Sequence, residues 1–375
     1  MVQQKRSINK GNIILLISSL FVIVLLVEGS LYILDAFHFS PRFFKAIFIN
    51  YPMNTRTGEG LYYAHPYTSY ATQPGYVREN WSTINSLGFR GKEITRKKSP
   101  GVYRIVTLGA STTYGIYQSD NYTYPILLEA ELKKKLNTNN LEVVNAGLVS
   151  ATTAESLNRL FVDILPLNPD MIIIYHGFND LIPRIFNDFS DDYYHFRKIP
   201  LDKTLLTKSY LYRLGLRVLA PAIFSEHHNL LSYIWKFENF PAAERKRIEN
   251  FNKTSSAIFE RNLDYLITMV LAKRISVVLS TFAIHKDAPS WNPYLPQELS
   301  VRGIEENNQA TRKLAVLYHL PLIDFYNYAI TDKRMFQDEI HMNRYGNYKK
   351  AQFFAKEIIP IIAKKISQQA LPEIR

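Results

Sequence analysis

The hydrophobic pattern of the chain is dominated by one apolar run near the N-terminus. Residues 13–34 make up 22 positions with a single charged side chain, Glu28. A helix of this length spans roughly 33 Å, which is enough to cross the hydrocarbon core of a bilayer. Three basic side chains precede the run and favour a cytoplasmic N-terminus. We therefore expect a transmembrane signal anchor at residues 13–37 behind a cytoplasmic segment at residues 1–12, with a cleaved signal peptide as the alternative.

Either interpretation of this run places the rest of the chain outside the cytoplasm. No second apolar stretch of comparable length follows, so the sequence predicts a protein that crosses the membrane once at most. We expect the protein to contact the membrane through this helix and to carry its folded part on the periplasmic or cell-surface side.

Beyond residue 100, short β-branched runs alternate with segments of helical periodicity. Strands are predicted at residues 104–108, 141–145, 171–175, 275–281 and 322–325. Helices are predicted at residues 124–136, 154–165, 256–272, 304–318 and 348–366. Continuous apolar strands separated by helices are typical of a parallel sheet that is covered on both faces. The pattern predicts an α/β domain over residues 101–375.

Two stretches depart from this alternation. Residues 38–100 are rich in Tyr, Pro, Asn and Gly, and we interpret them as a juxtamembrane stalk that packs onto the main domain. Residues 185–250 are rich in aromatic and basic side chains, and we interpret them as an insertion near the mouth of the site. Four aromatic side chains of the insertion either line a groove for sugar or acyl groups or pack beneath a lid: Tyr193, Tyr194, Trp235 and Phe237.

Composition and charge narrow the classes of function. The 375 residues include no cysteine, which excludes disulfide frameworks, cysteine zinc ligands, cysteine nucleophiles and iron–sulfur clusters. Lys and Arg number 45 against 33 Asp and Glu, and the net charge of +12 suits nucleic acid or an anionic lipid or glycan surface. The cations are spread along the chain without a nucleic-acid-binding motif, so we expect a lipid or glycan partner and no nucleic acid.

Polar or small residues follow the first three predicted strands. Ser111 comes after the first, Gly147 after the second and Asn179 after the third. In an open parallel sheet the carboxyl ends of the strands meet at one edge, where ligands bind. There Ser111 can present a nucleophilic hydroxyl, Gly147 an unshielded N–H and Asn179 an amide donor. Each residue taken alone also fits a plainer role, as a helix cap or part of a tight turn.

The segment Asp338-Glu339-Ile340-His341 lies near the C-terminus. An aspartate three residues before a histidine can accept the imidazole Nδ1–H, which leaves Nε2 available as a base. A lone histidine is more often structural, but this one accompanies a candidate nucleophile and candidate oxyanion donors. Together these residues are suited to acyl transfer through a tetrahedral intermediate.

These four blocks resemble those of the SGNH/GDSL hydrolases, in particular the membrane-anchored bacterial members. The similarity covers residues 102–366, and its most specific parts are the GFND run at 177–180 and the DEIH run at 338–341. The usual Gly-Asp-Ser-Leu run is replaced by GAST at 109–112, as in members with Gly-x-Ser-Thr-Thr runs. The segment NSLGFRG at 85–91 resembles a lead-in of the membrane-anchored members. An α/β-hydrolase elbow, by contrast, requires glycine where Thr113 stands.

The resemblance implies a three-layer α/β/α flavodoxin-like fold with a five-stranded parallel sheet in the order 2-1-3-4-5. It implies that Ser111 is the nucleophile, His341 the base and Asp338 the residue that orients the base. The oxyanion hole would then consist of the backbone N–H groups of Ser111 and Gly147 and the side chain of Asn179.

We therefore expect a serine esterase that removes an acyl or acetyl group from an extracytoplasmic glycan or lipid through an acyl-enzyme. Neither a metal nor a cofactor is expected. Two alternatives share the same residues or fold: an O-acetyltransferase that acts on a cell-surface glycan, and a catalytically silent binding protein.

Overall fold

The computed structural model describes residues 10–36, 61–198, 209, 211, 234–288 and 290–369. The chain divides into two compact units, one formed by residues 1–64 and 200–233 and the other by residues 65–199 and 234–375. Parts of the predicted stalk and insertion, residues 38–60 among them, lie outside the described residues. The domain limits given above therefore stay predictions.

The first unit contains helix α1, Lys10–Ala36, whose apolar side chains are mostly exposed. Its segment Gly11–Leu34 is long and apolar enough to cross a membrane, and no other helix in the described part of the chain meets this criterion. Glu28 accepts hydrogen bonds from the backbone N–H of Leu211 at 2.9 Å and from the hydroxyl of Ser209 at 3.1 Å. The one charged side chain of the apolar run is thus bonded within its own unit.

Nine strands are found in the described residues. Four short ones come first: β1 Tyr62–His65, β2 Ser69–Thr72, β3 Val77–Arg78 and β4 Ser82–Thr83. The other five are β5 Tyr103–Gly109, β6 Leu141–Gly147, β7 Met171–Tyr175, β8 Ser276–Ser280 and β9 Leu322–Ile323. These five form a parallel sheet in the order β6-β5-β7-β8-β9, which confirms the predicted order 2-1-3-4-5.

Among the described residues, six helices lie between the strands of the sheet and two follow β9. They are α2 Ser111–Tyr114, α3 Tyr124–Leu136, α4 Thr153–Arg159, α5 Glu244–Asn252, α6 Ala257–Ala272, α7 Gln297–Leu317, α8 Phe325–Ala329 and α9 Arg344–Gln369. Single 3₁₀ turns occupy Asp120–Tyr122, Leu165–Leu167, Asn179–Leu181, Pro183–Ile185, Phe237–Asn239 and Lys333–Met335.

Alternate residues of the strands pack against helices on opposite faces of the sheet. On one face, Val106 of β5 and Ile172 of β7 join a buried cluster with Leu266 of α6 and Leu314 of α7. On the other face, the ring of Tyr175 lies against that of Phe354 in α9, with a centroid distance of 6.2 Å. Each fully buried apolar side chain of this kind stabilises the fold by about 1.5–3 kcal/mol. The three-layer α/β/α architecture is confirmed.

Some predicted boundaries differ from the structure. The α-helix expected at residues 154–165 ends at Arg159. A π-helical turn, Leu160–Ile164, follows it and precedes Pro166. Proline has no N–H to continue the ladder, so the last turn rearranges ahead of it. The fifth strand contains two residues instead of the four expected.

Candidate active site

Ser111 lies where the interior strand β5 passes into helix α2. Gly109 permits this turn, because a Cβ there would lie 2.6 Å from the carbonyl oxygen of Tyr175. Ser111 is the first residue of α2, and its hydroxyl does not cap the helix. Instead, its Oγ lies 2.8 Å from Nε2 of His341. The geometry therefore favours the role of nucleophile over that of a helix cap.

His341 is oriented by Asp338 within a single turn. Its Nδ1 lies 2.9 Å from Asp338 Oδ2 and 3.1 Å from Oδ1. Oδ1 also accepts the backbone N–H groups of Ile340 at 2.9 Å and of His341 at 2.8 Å. Burial by itself raises the pKa of Asp338, but hydrogen bonds and the charge of His341 outweigh it and lower that pKa below its ordinary value. The carboxylate is thus held ionised beside the imidazole.

Two aromatic rings flank the imidazole of His341. Tyr117 and Trp291 each present an edge-on contact with a centroid distance of 5.2 Å. Burial and the neighbouring Asp338 raise the pKa of Tyr117 to about 12, so its hydroxyl stays neutral at physiological pH. Ser111 and His341 are only 3% and 2% exposed. The pair is therefore shielded from bulk water, which strengthens the electrostatic interactions within it.

Glu339, between the aspartate and the histidine, holds the segment that carries Trp291. Its Oε1 accepts hydrogen bonds from the hydroxyl of Ser290 and the backbone N–H of Trp291, both at 3.2 Å. Glu339 is fully buried, and burial raises the pKa of its carboxyl to about 7. Its position next to the base could be read from the sequence, but its contact with residues 290–291 could not.

Gly147 is engaged differently from the sequence prediction. Its N–H donates a hydrogen bond to Asn145 Oδ1 at 3.0 Å, so in this geometry the N–H is directed into the protein. A Cβ at residue 147 would lie 2.1 Å from the backbone nitrogen of Tyr114. Glycine is required here because β6 ends in close contact with helix α2.

Asn179 lies in the 3₁₀ turn after β7 and is buried. Its Nδ2 donates to the carbonyl oxygen of Ala151 at 2.9 Å, which uses one of the two amide hydrogens. The neighbouring Asp180 accepts the backbone N–H of Thr153 at 3.1 Å. These bonds join the turn after β7 to the loop after β6.

That loop contains a residue that the sequence analysis missed. Ser150 has a φ of 66°, in the left-handed region that non-glycine residues rarely adopt. It is buried, and its backbone N–H has no hydrogen-bond partner among the described residues. Its carbonyl oxygen accepts a hydrogen bond from Arg197 Nη2 at 2.6 Å. A single sequence carries no signal for this backbone conformation, because serine is common in every kind of loop.

The aromatic side chains of the insertion mostly pack against each other. Tyr193 and Trp235 are each 2% exposed, and Trp235 contacts Phe196 with a centroid distance of 5.6 Å. Tyr194 is 69% exposed, and the Nζ of Lys236 lies 3.1 Å from the centroid of its ring. Of the two predicted roles, packing describes Tyr193 and Trp235.

Within the described residues, no group of three or more His, Cys, Asp or Glu side chains could hold a metal ion. The family model of the GDSL-like lipases and acylhydrolases matches residues 107–349. The chain belongs to this family. The predicted family is thereby confirmed, and the protein is an esterase of the GDSL-like kind. No individual curated protein matches the chain.

The chain is similar to several solved structures. One is a lipase/acylhydrolase from Enterococcus faecalis, with 19% sequence identity and a TM-score of 0.42, and the match covers 68% of this chain and 95% of that one. A second is the acetyl xylan esterase AlAXEase, with 18% sequence identity and a TM-score of 0.42, and the match covers 68% of this chain and 100% of that one. A third is a GDSL-like lipase from Bacteroides thetaiotaomicron, with 14% sequence identity and a TM-score of 0.38, and the match covers 70% of this chain and 88% of that one.

Proposed function

We propose that this GDSL-like esterase cleaves its substrate by a Ser-His-Asp mechanism, with Ser111 as nucleophile, His341 as general base and Asp338 as the orienting carboxylate. The observation that carries the proposal is the continuous hydrogen-bonded chain from Asp338 through both nitrogens of His341 to Ser111 Oγ. A hydroxyl is a weak nucleophile by itself, and an adjacent oriented base is what activates it.

The reaction divides into two steps. Ser111 Oγ attacks the ester carbonyl while His341 Nε2 takes its proton, and the tetrahedral intermediate then expels the alcohol, which receives that proton. Water next gives a proton to His341 and attacks the acyl-enzyme, which releases the carboxylic acid and restores the serine. Asp338 stays ionised throughout and stabilises the transient imidazolium.

The oxyanion of the intermediate needs hydrogen-bond donors. We assign the backbone N–H of Ser111 and the second amide hydrogen of Asn179 to this role. Gly147 can contribute its N–H only by leaving Asn145 Oδ1. The N–H of Ser150, which has no partner among the described residues, is the alternative third donor.

We further propose that the enzyme acts outside the cytoplasm on an acyl or acetyl ester of a glycan or lipid. The apolar helix α1, with basic side chains before it, supports an anchor that leaves the catalytic domain on the outer side. The net charge of +12 suits an anionic lipid or glycan surface. Protease accessibility of the catalytic domain in spheroplasts tests this placement, and a protected domain would contradict it.

Labelling with a fluorophosphonate, followed by mapping of the modified residue, tests the nucleophile. We expect label on Ser111, and we expect Ser111→Ala to lose both labelling and hydrolysis of p-nitrophenyl acetate. Ser156 offers a matched control, because its Oγ also lies 2.8 Å from a histidine, the buried His176. Burial lowers the pKa of His176 to about 4, and this pair lies outside the proposed mechanism, so Ser156→Ala should keep its activity.

Label on any other serine would overturn the assignment, as would an active Ser111→Ala variant. Product analysis with acetylated oligosaccharides then separates the two reactions open to an acyl-enzyme. Free acetate indicates hydrolysis, whereas an acetylated acceptor that forms only when acceptor is present indicates an O-acetyltransferase.

A further inference from the structure

The buried side chain of Arg90, in the segment before β5, uses all five of its N–H groups. Its side chain is 1% exposed. Nε donates to the carboxylate oxygen Oδ1 of Asp120 at 2.8 Å. Nη1 donates to the carbonyl oxygens of Tyr114 at 2.9 Å and Gly115 at 2.8 Å. Nη2 donates to the carbonyl oxygens of Trp81 at 3.1 Å and Gln118 at 2.6 Å. A guanidinium has five donors in a fixed planar fork, so this set of acceptors matches arginine and no other side chain.

Three of these acceptors belong to the end of the nucleophile helix and the loop that follows it. Helix α2 contains only Ser111–Tyr114, and Gly115 ends it with a φ of 86°. The last carbonyl groups of a helix lack partners within the helix and carry partial negative charge. Arg90 supplies both the hydrogen bonds and the positive charge for them, one helical turn from Ser111.

The same loop reaches the other members of the site. Tyr117 lies edge-on to His341, and Gln118 Nε2 donates to the carbonyl oxygen of Met342 at 3.4 Å. The carbonyl oxygen of Tyr114 also accepts Asn145 Nδ2 at 3.2 Å, and Asn145 in turn holds the N–H of Gly147. A shift of the 114–118 loop would therefore reach the imidazole and the end of β6 together.

We propose that Arg90 is a positioning residue of the esterase site, through which the segment before the sheet sets the placement of Ser111 and Tyr117 relative to His341. The inference rests on the proposed role of Ser111. The segment containing Arg90 would then be part of the catalytic unit and would do more than connect it to the anchor.

Arg104 provides a matched control at the amino-terminal end of β5, the end opposite to Ser111. Its side chain is also 1% exposed, and it also pairs with a carboxylate, Glu142, through a contact of 2.5 Å. It donates to backbone carbonyl oxygens of Thr95 at 2.8 Å and Leu167 at 2.6 Å. Arg104 therefore matches Arg90 in burial and bonding, but it lies at the start of β5, far along the strand from Ser111.

The experiment compares Arg90→Lys with Arg104→Lys in the full chain. Lysine keeps the charge and loses the fork, so both variants should lose thermal stability. Displacing a reacting group by about 1 Å can cost roughly 100-fold in rate. We expect Arg90→Lys to lower both kcat for p-nitrophenyl acetate and the rate of fluorophosphonate labelling by roughly 10- to 100-fold, with KM nearly unchanged. Arg104→Lys should keep both rates.

A wild-type kcat and labelling rate in Arg90→Lys would overturn the inference, as would an equal loss in Arg104→Lys. If Arg90→Lys does not fold, Asp120→Asn weakens one of the five bonds and should lower the labelling rate severalfold, and an unchanged rate would count against the inference.

Amide exchange at residues 114–118 gives a readout independent of activity. It should rise in Arg90→Lys and stay constant in Arg104→Lys, and no change would overturn the proposal. An inert wild-type enzyme with the expected exchange pattern would instead contradict only the proposed function.

Discussion

Ser111 Oγ and His341 Nε2 lie 2.8 Å apart, although 230 positions separate the two residues in the chain. The serine follows the interior strand β5, whereas the histidine follows β9 at the edge of the sheet. The contact therefore depends on the correct assembly of the four neighbouring strands β5, β7, β8 and β9.

Asp338→Asn should lower kcat by roughly 10³- to 10⁴-fold, because an amide can favour the wrong imidazole tautomer and cannot stabilise the imidazolium. The pKa of Asp338 is below its ordinary value of 3.8, so the wild-type carboxylate stays ionised above that pH. Its protonation should therefore produce no step in the kcat profile above pH 3.8. Steady-state kinetics provide the measurement, with Asp332→Asn as control, because Asp332 is a partly buried aspartate that pairs with Arg334. A loss of less than tenfold in Asp338→Asn would remove Asp338 from the mechanism.

Gly147→Ala should damage both stability and activity. The added Cβ would lie 2.1 Å from the backbone nitrogen of Tyr114, so helix α2 or the end of β6 must move. Overpacking of this kind costs about 1–3 kcal/mol, and the movement would displace Ser111. Gly101→Ala, at a site with nothing within 4 Å but with a φ of 75° that strains any side chain, should lose stability and keep kcat. Thermal unfolding and kcat measured together are the check, and a fully active Gly147→Ala variant would show that the backbone there relaxes freely.

Glu339→Gln should change how stability depends on pH. Burial raises the pKa of the folded carboxyl from about 4.5 to about 7, so the folded state holds a proton in this range that the unfolded state releases. The stabilising contribution is therefore complete below pH 4.5 and is lost as the pH rises to about 7. Glutamine removes this titration and should flatten the curve of Tm against pH in that range. Parallel curves for the two proteins would contradict the raised pKa.

Lys350→Met should stabilise the fold, most strongly at low pH. Within the described part of the chain Lys350 Nζ has no hydrogen-bond partner, and it lies 3.3 Å from the ring centroid of Tyr175. Burial lowers the pKa of this amine well below 10.5, so the unfolded state binds more protons and stability falls as the pH decreases. Methionine fills a similar volume without this cost. Exposed Lys356→Met serves as control, and an equal Tm in wild type and Lys350→Met at pH 5 would refute the prediction.

Much of the fold was available from the hydrophobic pattern, because strands and helices have distinct periods that are visible in a short window. The five strands follow this prediction, and their order is the one that the family resemblance implied, whereas the end of helix α4 differs. That helix changes into a π turn six residues before Pro166, because proline has no N–H to continue the hydrogen-bond ladder, and the hydrophobic period does not show this break.

The sequence by itself determined the local parts of the site. The spacing of Asp338 and His341 closes within one turn, so their contact needs no information beyond three residues of chain. Only the tertiary structure decided which long-range partners each group receives. Ser111 lies beside His341 across 230 positions, and Arg90 bonds to the end of the nucleophile helix across more than 20 residues. The physical reason is that hydrogen-bond partners are chosen by the packed geometry, whereas sequence patterns record only the preferences of neighbouring residues.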